Sequence, residues 1–186
     1  MKQISEGLTT MALLSNFAQR KKLEYFFSKI PKDARILEVG CADGWVGKWA
    51  VGRGWKNFVG IDIIDGGYQY DHKFIHGDIA EFKKLGLKEK SFDVIIAFEV
   101  IEHGDFYGPM HDLLKPGGML YVTTPVPHMD WACQVLERLG LNQTRSSKHT
   151  HLIYMKDVPK FTLEKQQIKA FMSQWGEFSR PVVAED

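Results

Sequence analysis

Residues 92–98 read FDVIIAF, with an apolar side chain at six of the seven positions. A strand that is apolar on both parities has no face left for water. It belongs inside a parallel sheet with helices on both sides. Neighbouring segments can supply such a sheet: Arg35–Val39, Phe58–Ile61, Lys73–His76 and Met119–Thr123 each read as a short strand. Between them, Trp45–Val51 reads as a helix closed by Gly52 and Gly54. A second helical stretch, carrying Met110, Leu113 and Leu114, stops at the Lys-Pro-Gly-Gly run of residues 115–118. Strands alternating with helices predict an open α/β layer fold with right-handed crossovers.

The ends are read the same way. Thr9 or Thr10 caps a helix over roughly residues 11–29, whose Leu23, Phe26 and Phe27 recur at helical spacing before Pro31 ends it. Another helix is expected around Trp131–Leu139, closed by Gly140. Further on, His151–Met155 reads as strand or ordered loop, and Thr162 as the cap of a helix to about Trp175. Phe178–Val183 reads as one edge strand interrupted by Pro181. With only that one convincing late strand, the sheet is expected to lack or rearrange its last strand. No linker divides the 186 residues, so one domain over 1–186 is expected: a helical segment (1–30), a core (31–125) and a C-terminal region (126–186).

Composition bears mainly on partners. Twenty-four Lys and Arg face 23 Asp and Glu, a balance that weighs against nucleic acid and favours a small acceptor. Cys41 and Cys133 form no CxxC pair, and no 18-residue apolar run offers a membrane span. The first residues lack a signal-peptide pattern, so a cytoplasmic setting is expected.

Directly after the first strand, ILEVGCADG (36–44) places Gly40 and Gly44 four positions apart. A glycine there lets the backbone turn sharply and approach a ligand closely. The spacing alone fits several cofactors. It is a poor match to GxGxxG, because Ala42 and Trp45 fill the remaining glycine positions, and no Gly-Lys-Ser/Thr follows for a nucleoside triphosphate. Asp62 ends the second strand 22 residues after Gly40, where a carboxylate can accept both hydroxyls of a ribose. Together the two signals indicate a nucleoside-bearing ligand that need not contain a pyrophosphate.

At these residues the chain resembles the class I S-adenosylmethionine-dependent methyltransferases. The matching blocks are ILEVGCADG (36–44), VGID (59–62), GDI (77–79), FDVIIAFEVIEH (92–103) and LLKPGGMLYVTTP (113–125), in the family's order. The resemblance implies a Rossmann-like, doubly wound, mostly parallel central sheet with helices on both faces. It also implies transfer of a methyl group from S-adenosyl-L-methionine to a small-molecule acceptor, a hydroxyl oxygen, leaving S-adenosyl-L-homocysteine. Glu38 would hold the methionine end, and Gly40, Cys41, Ala42 and Gly44 would form the loop beneath it. Asp62 would take the ribose hydroxyls and Ile63 would lie against adenine. Asp78 would accept from the adenine amino group, Ile79 would offer its backbone N–H, and Phe98 would line the wall. Ala42 departs from the glycine many relatives carry. Plainer roles stand beside these: Cys41 as a packing residue, Asp78 as a helix cap, Ile79 and Phe98 as core.

Glu99, Glu102 and His103 follow the central strand at its carboxyl end, where α/β sheets place ligands. On a helix, their spacing would put them on one face. His103, with Glu99, is the expected proton-accepting group for a hydroxyl acceptor. His128 lies just beyond the fifth strand. The reading adopted assigns no metal. A divalent ion held by Glu99, Glu102 and His103, with His149 or His151 completing the set, is the alternative, and oxygen-rich ligation favours Mg²⁺ or Mn²⁺. Trp45, Tyr68, Tyr107, Met110 and Trp131 are candidates for an apolar substrate wall or for ordinary helix packing. The competing functions are a metal-assisted RNA ribose 2′-O-methyltransferase or a protein methyltransferase, then an NAD(P)-dependent oxidoreductase, then a non-catalytic binding protein.

Overall fold

The structure is a computed structural model that describes residues 17–65, 70–129, 131, 151–170 and 172–182. Its centre is a seven-stranded sheet in the order β3-β2-β1-β4-β5-β7-β6. The strands are β1 (Ile36–Val39), β2 (Phe58–Asp62), β3 (Lys73–His76), β4 (Phe92–Phe98), β5 (Leu114–Pro125), β6 (Thr162–Lys169) and β7 (Ser173–Ser179). The first five run parallel, and β7 turns antiparallel against β5 and β6. The helices are α1 (described over residues 17–27), α2 (Trp45–Val51) and α3 (Tyr107–Leu113).

The two parities of FDVIIAF feed two separate cores, as an interior strand requires. Val94 and Ile96 pack with Leu23, Phe26 and Phe27 of α1, Ala50 of α2 and Trp55. Ile95 and Ala97 pack on the other face with Ile79, Phe82, and Met110 and Leu113 of α3, and Phe92, which precedes the register shift between Phe92 and Val94, joins them there despite its parity. Leu23, Phe26 and Phe27 are all but fully buried. At roughly 1.5–3 kcal/mol each, these three side chains hold α1 to the sheet.

The main departure from the sequence reading lies after Thr162. The expected helix to Trp175 is a strand, β6, and a second strand, β7, follows it from Ser173. Helix-forming Leu163, Glu164, Lys165 and Gln166 yield to tertiary pairing, because β7 joins β5 along seven residue pairs and carries β6 with it. The turn needs left-handed backbone, which Ala170 supplies at φ 48°. No strand is missing. The expected edge strand over Phe178–Val183 ends at Ser179, ahead of Pro181, and lies inside the sheet. His151–Met155 is loop up to a short 3₁₀ turn over Met155–Asp157. Strand β5 starts at Leu114, earlier than Met119, and carries an irregularity opposite Phe92/Val94 as the Lys-Pro-Gly-Gly run passes through it. Thr9, Thr10 and the expected helix beyond Trp131 lie outside the described residues.

Candidate active site

From β1 the chain crosses to β2 and β3 on one side, and β4 opens the other side. The carboxyl ends of β1 and β4 therefore flank a crevice at the point where strand order reverses, the usual ligand position in such sheets. The described pocket of about 330 Å³, lined by Ala34, Asp93 and Met119 among others, is at the opposite, amino-terminal edge.

The β1 side of the crevice is the glycine turn. Gly40 has φ 71° and Gly44 φ 73°, both in the left-handed region that favours glycine. A Cβ on Gly40 would meet Val100 Cγ2 at 2.4 Å, and one on Gly44 would meet Tyr70 Cδ1 at 2.3 Å. Ala42 is also left-handed, at φ 44°. Asp62 braces the turn: its Oδ2 accepts from Ala42 N at 2.8 Å and its Oδ1 from Ile64 N at 2.9 Å. Tyr70 Oη donates to Ala42 O at 2.7 Å. Ile63 and Ile64, directly after Asp62, are both exposed, at 67% and 59%. Asp78 caps the 3₁₀ turn Ile79–Glu81 by accepting from Ala80 N at 2.8 Å, and Ile79 is buried.

Glu38 is the most telling residue of the turn. It is 4% exposed, and its Oε2 has no hydrogen-bond partner among the described residues. Burial pushes its pKa well up, and Asp43 and Asp62 push the same way, while Lys22 opposes them. Burial likewise raises the pKa of the Cys41 thiol, which suits packing and not nucleophilic attack.

On the β4 side, Glu99 has φ 55° and takes its backbone bond from N–H to Thr123 O at 2.8 Å. The chain is therefore not helical at Glu99, and only Ile101–His103 form a 3₁₀ turn. That corrects the expectation that Glu99, Glu102 and His103 share a helix face. The two carboxylates engage different partners. Thr123 Oγ1 donates to Glu99 Oε1 at 2.8 Å, and Thr124 Oγ1 donates to the buried Glu102 Oε2 at 2.9 Å. Burial, then the Glu99 charge, pushes Glu102 up to about 8. Among the described residues no group of three or more His, Cys, Asp or Glu side chains is placed to hold a metal ion. His149 lies outside the described residues, and His151 meets Glu102 through a backbone bond, His151 N to Glu102 O at 2.9 Å.

The structure also brings in residues that the sequence reading passed over. Lys22 of α1 lies over the Phe98 ring at 5.0 Å and reaches within 3.7 Å of Glu99 Oε1, with only 12% of its side chain exposed. A lysine next to Leu23 and four residues before Phe26, inside an apolar stripe, was the available signal. The threonine pair ending β5 was another. Tyr107 and Met110 are core residues, Trp45 packs against the α1-side core, and Trp131 is 63% exposed. Tyr68 lies outside the described residues.

The crevice suits the cofactor that the sequence implies. It offers a buried carboxyl oxygen with no hydrogen-bond partner among the described residues, a turn that a Cβ would obstruct, and the neighbouring carboxylates of Asp43 and Asp62, a charge complement to a sulfonium and an ammonium.

Comparison with known proteins agrees. A family model described as a methyltransferase domain matches residues 14–161. A probable S-adenosylmethionine-dependent methyltransferase of Mycolicibacterium smegmatis is 32% identical over 100 residues, covering 48% of this chain. The chain spans 37% of that relative's length. A protein of Pyrococcus horikoshii shares the fold with TM-score 0.62 at 16% identity, over 88% of this chain and 91% of that one. An S-adenosylmethionine-dependent methyltransferase of Mesorhizobium loti does so with TM-score 0.57 at 16% identity, over 85% and 98%. The [4+2]-cyclase SpnF matches with TM-score 0.59 at 12% identity, over 81% and 76%, so the fold by itself does not fix the reaction. On the family match and the sheet together, the chain belongs to the class I S-adenosylmethionine-dependent methyltransferases.

Proposed function

We propose that the protein methylates a hydroxyl oxygen of a small-molecule acceptor, with S-adenosylmethionine bound across the carboxyl ends of β1, β2 and β4. The observation that carries this reading is the unpartnered, buried Oε2 of Glu38 beside the Gly40 turn. Glu38 holds the amino-acid end of the cofactor, and Gly40, Cys41, Ala42 and Gly44 form the loop beneath it. Asp62 has used one lone pair of each oxygen on the backbone and keeps others for two ribose hydroxyls. Ile63 covers one adenine face, Asp78 and Ile79 border its edge, and Phe98 closes the wall.

The cofactor supplies a methyl group already activated on a positive sulfur. The protein's task is then to orient the acceptor and receive its proton. His103, on the 3₁₀ turn after β4, takes that proton. Glu99 is fixed by Thr123 Oγ1 and Lys22 Nζ, and orients the acceptor hydroxyl by accepting its hydrogen bond.

The test is a titration with S-adenosylhomocysteine and, separately, NAD⁺. Only the first should bind, and Asp62→Ala should weaken it by at least about tenfold, the loss of a charge-assisted hydrogen bond. Equal affinity of variant and parent, or preference for NAD⁺, would remove the cofactor assignment. With a hydroxyl acceptor, His103→Ala should cut kcat by roughly 10²–10⁴ at unchanged cofactor affinity.

A further inference from the structure

The sheet face beneath α1 continues past the crevice to the edge strand. Along one row, Phe98 of β4 lies opposite Thr123 of β5, Thr123 opposite Trp175 of β7, and Trp175 opposite Gln167 of β6. Gln167 has Lys165 and Lys169 two residues to either side on β6, so all three project to the same face. Lys22 lies over Phe98 at one end of this row, and Lys169 lies 5.2 Å from the Trp175 ring at the other.

Among the described residues, the charges at that far corner do not balance. Three ammonium groups surround the Tyr25 ring, Lys29 at 3.7 Å, Lys169 at 5.8 Å and Lys165 at 5.9 Å. The carboxylate beside them, Glu177, is occupied: Lys29 pairs with it and Tyr25 Oη donates to it at 2.5 Å. Lys165 and Lys169 are exposed and make no ion pair among the described residues. Like charges gathered at one place repel, and an arriving anion relieves them.

We propose that the corner between α1 and β6 binds an anionic group, carboxylate or phosphate, carried by the methyl acceptor. Lys165 and Lys169 hold the charge, and the part of the half-buried Trp175 ring that Tyr25 and Phe26 leave uncovered meets the acceptor's apolar body. This deepens the reading of the crevice as a methyltransferase site and rests on it. Three strand steps of about 4.8 Å separate Phe98 from Gln167, so the acid group lies roughly 14 Å from the crevice wall. The acceptor is thus an elongated hydroxy acid or hydroxyalkyl phosphate. A nucleic acid fits less well. Tracking a backbone takes a run of phosphate contacts, and the two cations left without an ion pair here among the described residues form one patch on a chain of net charge +1.

Phenyl phosphate and benzoate serve as probes, with benzyl alcohol as the neutral control, titrated at low salt into protein saturated with S-adenosylhomocysteine. At least one anion should bind, which also separates phosphate from carboxylate recognition, and benzyl alcohol should bind at least tenfold more weakly. In the Lys165→Gln/Lys169→Gln variant the anion should lose at least tenfold in affinity, with S-adenosylhomocysteine affinity unchanged. Failure of both anions to bind the parent, or equal binding by parent and variant, overturns the proposal. So does a ten-nucleotide single-stranded RNA that binds through these lysines while both small anions do not. If S-adenosylhomocysteine itself fails to bind the parent, the cofactor reading has failed instead, and the two failures are read separately.

Discussion

A buried carboxyl with an unpartnered oxygen is costly to keep ionised, and Glu38 meets that cost by shifting its pKa upward. A ligand that brings an ammonium group to this oxygen reverses the balance, so binding should expel a proton. Calorimetry of S-adenosylhomocysteine near pH 7 in phosphate and in Tris should therefore give different heats, corresponding to up to about one proton released. Glu38→Gln should abolish the difference, and equal heats for the parent would refute the assignment. Gly40 allows a second test at the same scale. Its left-handed φ disfavours any side chain by about 1–2 kcal/mol, and the contact with Val100 adds to that. Gly40→Ala should lower the urea midpoint accordingly, and adding Val100→Ala should recover only the part due to contact. Full recovery would mean that the backbone conformation carries no cost.

Elements meet at Gln174, a fully buried amide on β7. Its Oε1 accepts from Met155 N at 3.3 Å, and its Nε2 donates to Ile153 O at 2.6 Å and Pro125 O at 3.2 Å. One side chain thus ties the loop at 151–155 to β5 and β7, and that loop in turn bonds Glu102 O through His151 N. Gln174→Ala should cost roughly 3 kcal/mol, since buried backbone groups lose their partners, and amide exchange should accelerate first in residues 151–157. Uniform acceleration across the sheet would show that the tie is not local. The same region marks where the sequence stopped being legible. Strands β1, β2 and β4 could be read because each is a mostly apolar run followed by a glycine or ended by an acid, and the glycine turn was legible with them. Strand β6 has no such signature: its apolar Leu163 and Ile168 do not alternate, and Ile168 is 58% exposed. Its state is set by β7, a partner that periodicity within the segment cannot reveal. At the site, residues adjacent to motifs were legible. Lys22, which reaches the crevice from a different element, was not.

For the molecule as a whole, the half-buried His72 and the buried Glu102 tilt stability with pH in opposite directions. His72 packs against Gly47 of α2 and Gly60 of β2, with Phe58 and Tyr70 at its ring, and neither ring nitrogen has a hydrogen-bond partner among the described residues. Burial lowers its pKa from 6.5, with the Asp71 charge offsetting only part of that. A depressed folded-state pKa means that the unfolded chain takes up the proton more readily. Its contribution is therefore complete above about pH 6.5 and is lost as pH falls through the folded value. Glu102 works in the other direction. Its pKa rises from 4.5 to about 8, so its contribution is complete below the lower value and is lost as pH climbs through the higher one. Glu38 shifts the same way and steepens that limb. Urea unfolding of the ligand-free protein from pH 5 to 9 should thus give a stability that falls as pH rises toward 8, more gently below about pH 6.5, where the His72 slope opposes the two carboxyls, with each group contributing a slope of at most about 1.4 kcal/mol per pH unit. His72→Gln should steepen the fall below about pH 6.5 alone. Glu102→Gln, which still offers an acceptor to Thr124 Oγ1, should make the decline shallower up to about pH 8. A profile left unchanged by both substitutions would place the titrating groups elsewhere, and the buried carboxyls of the crevice would then be without measurable effect on the fold.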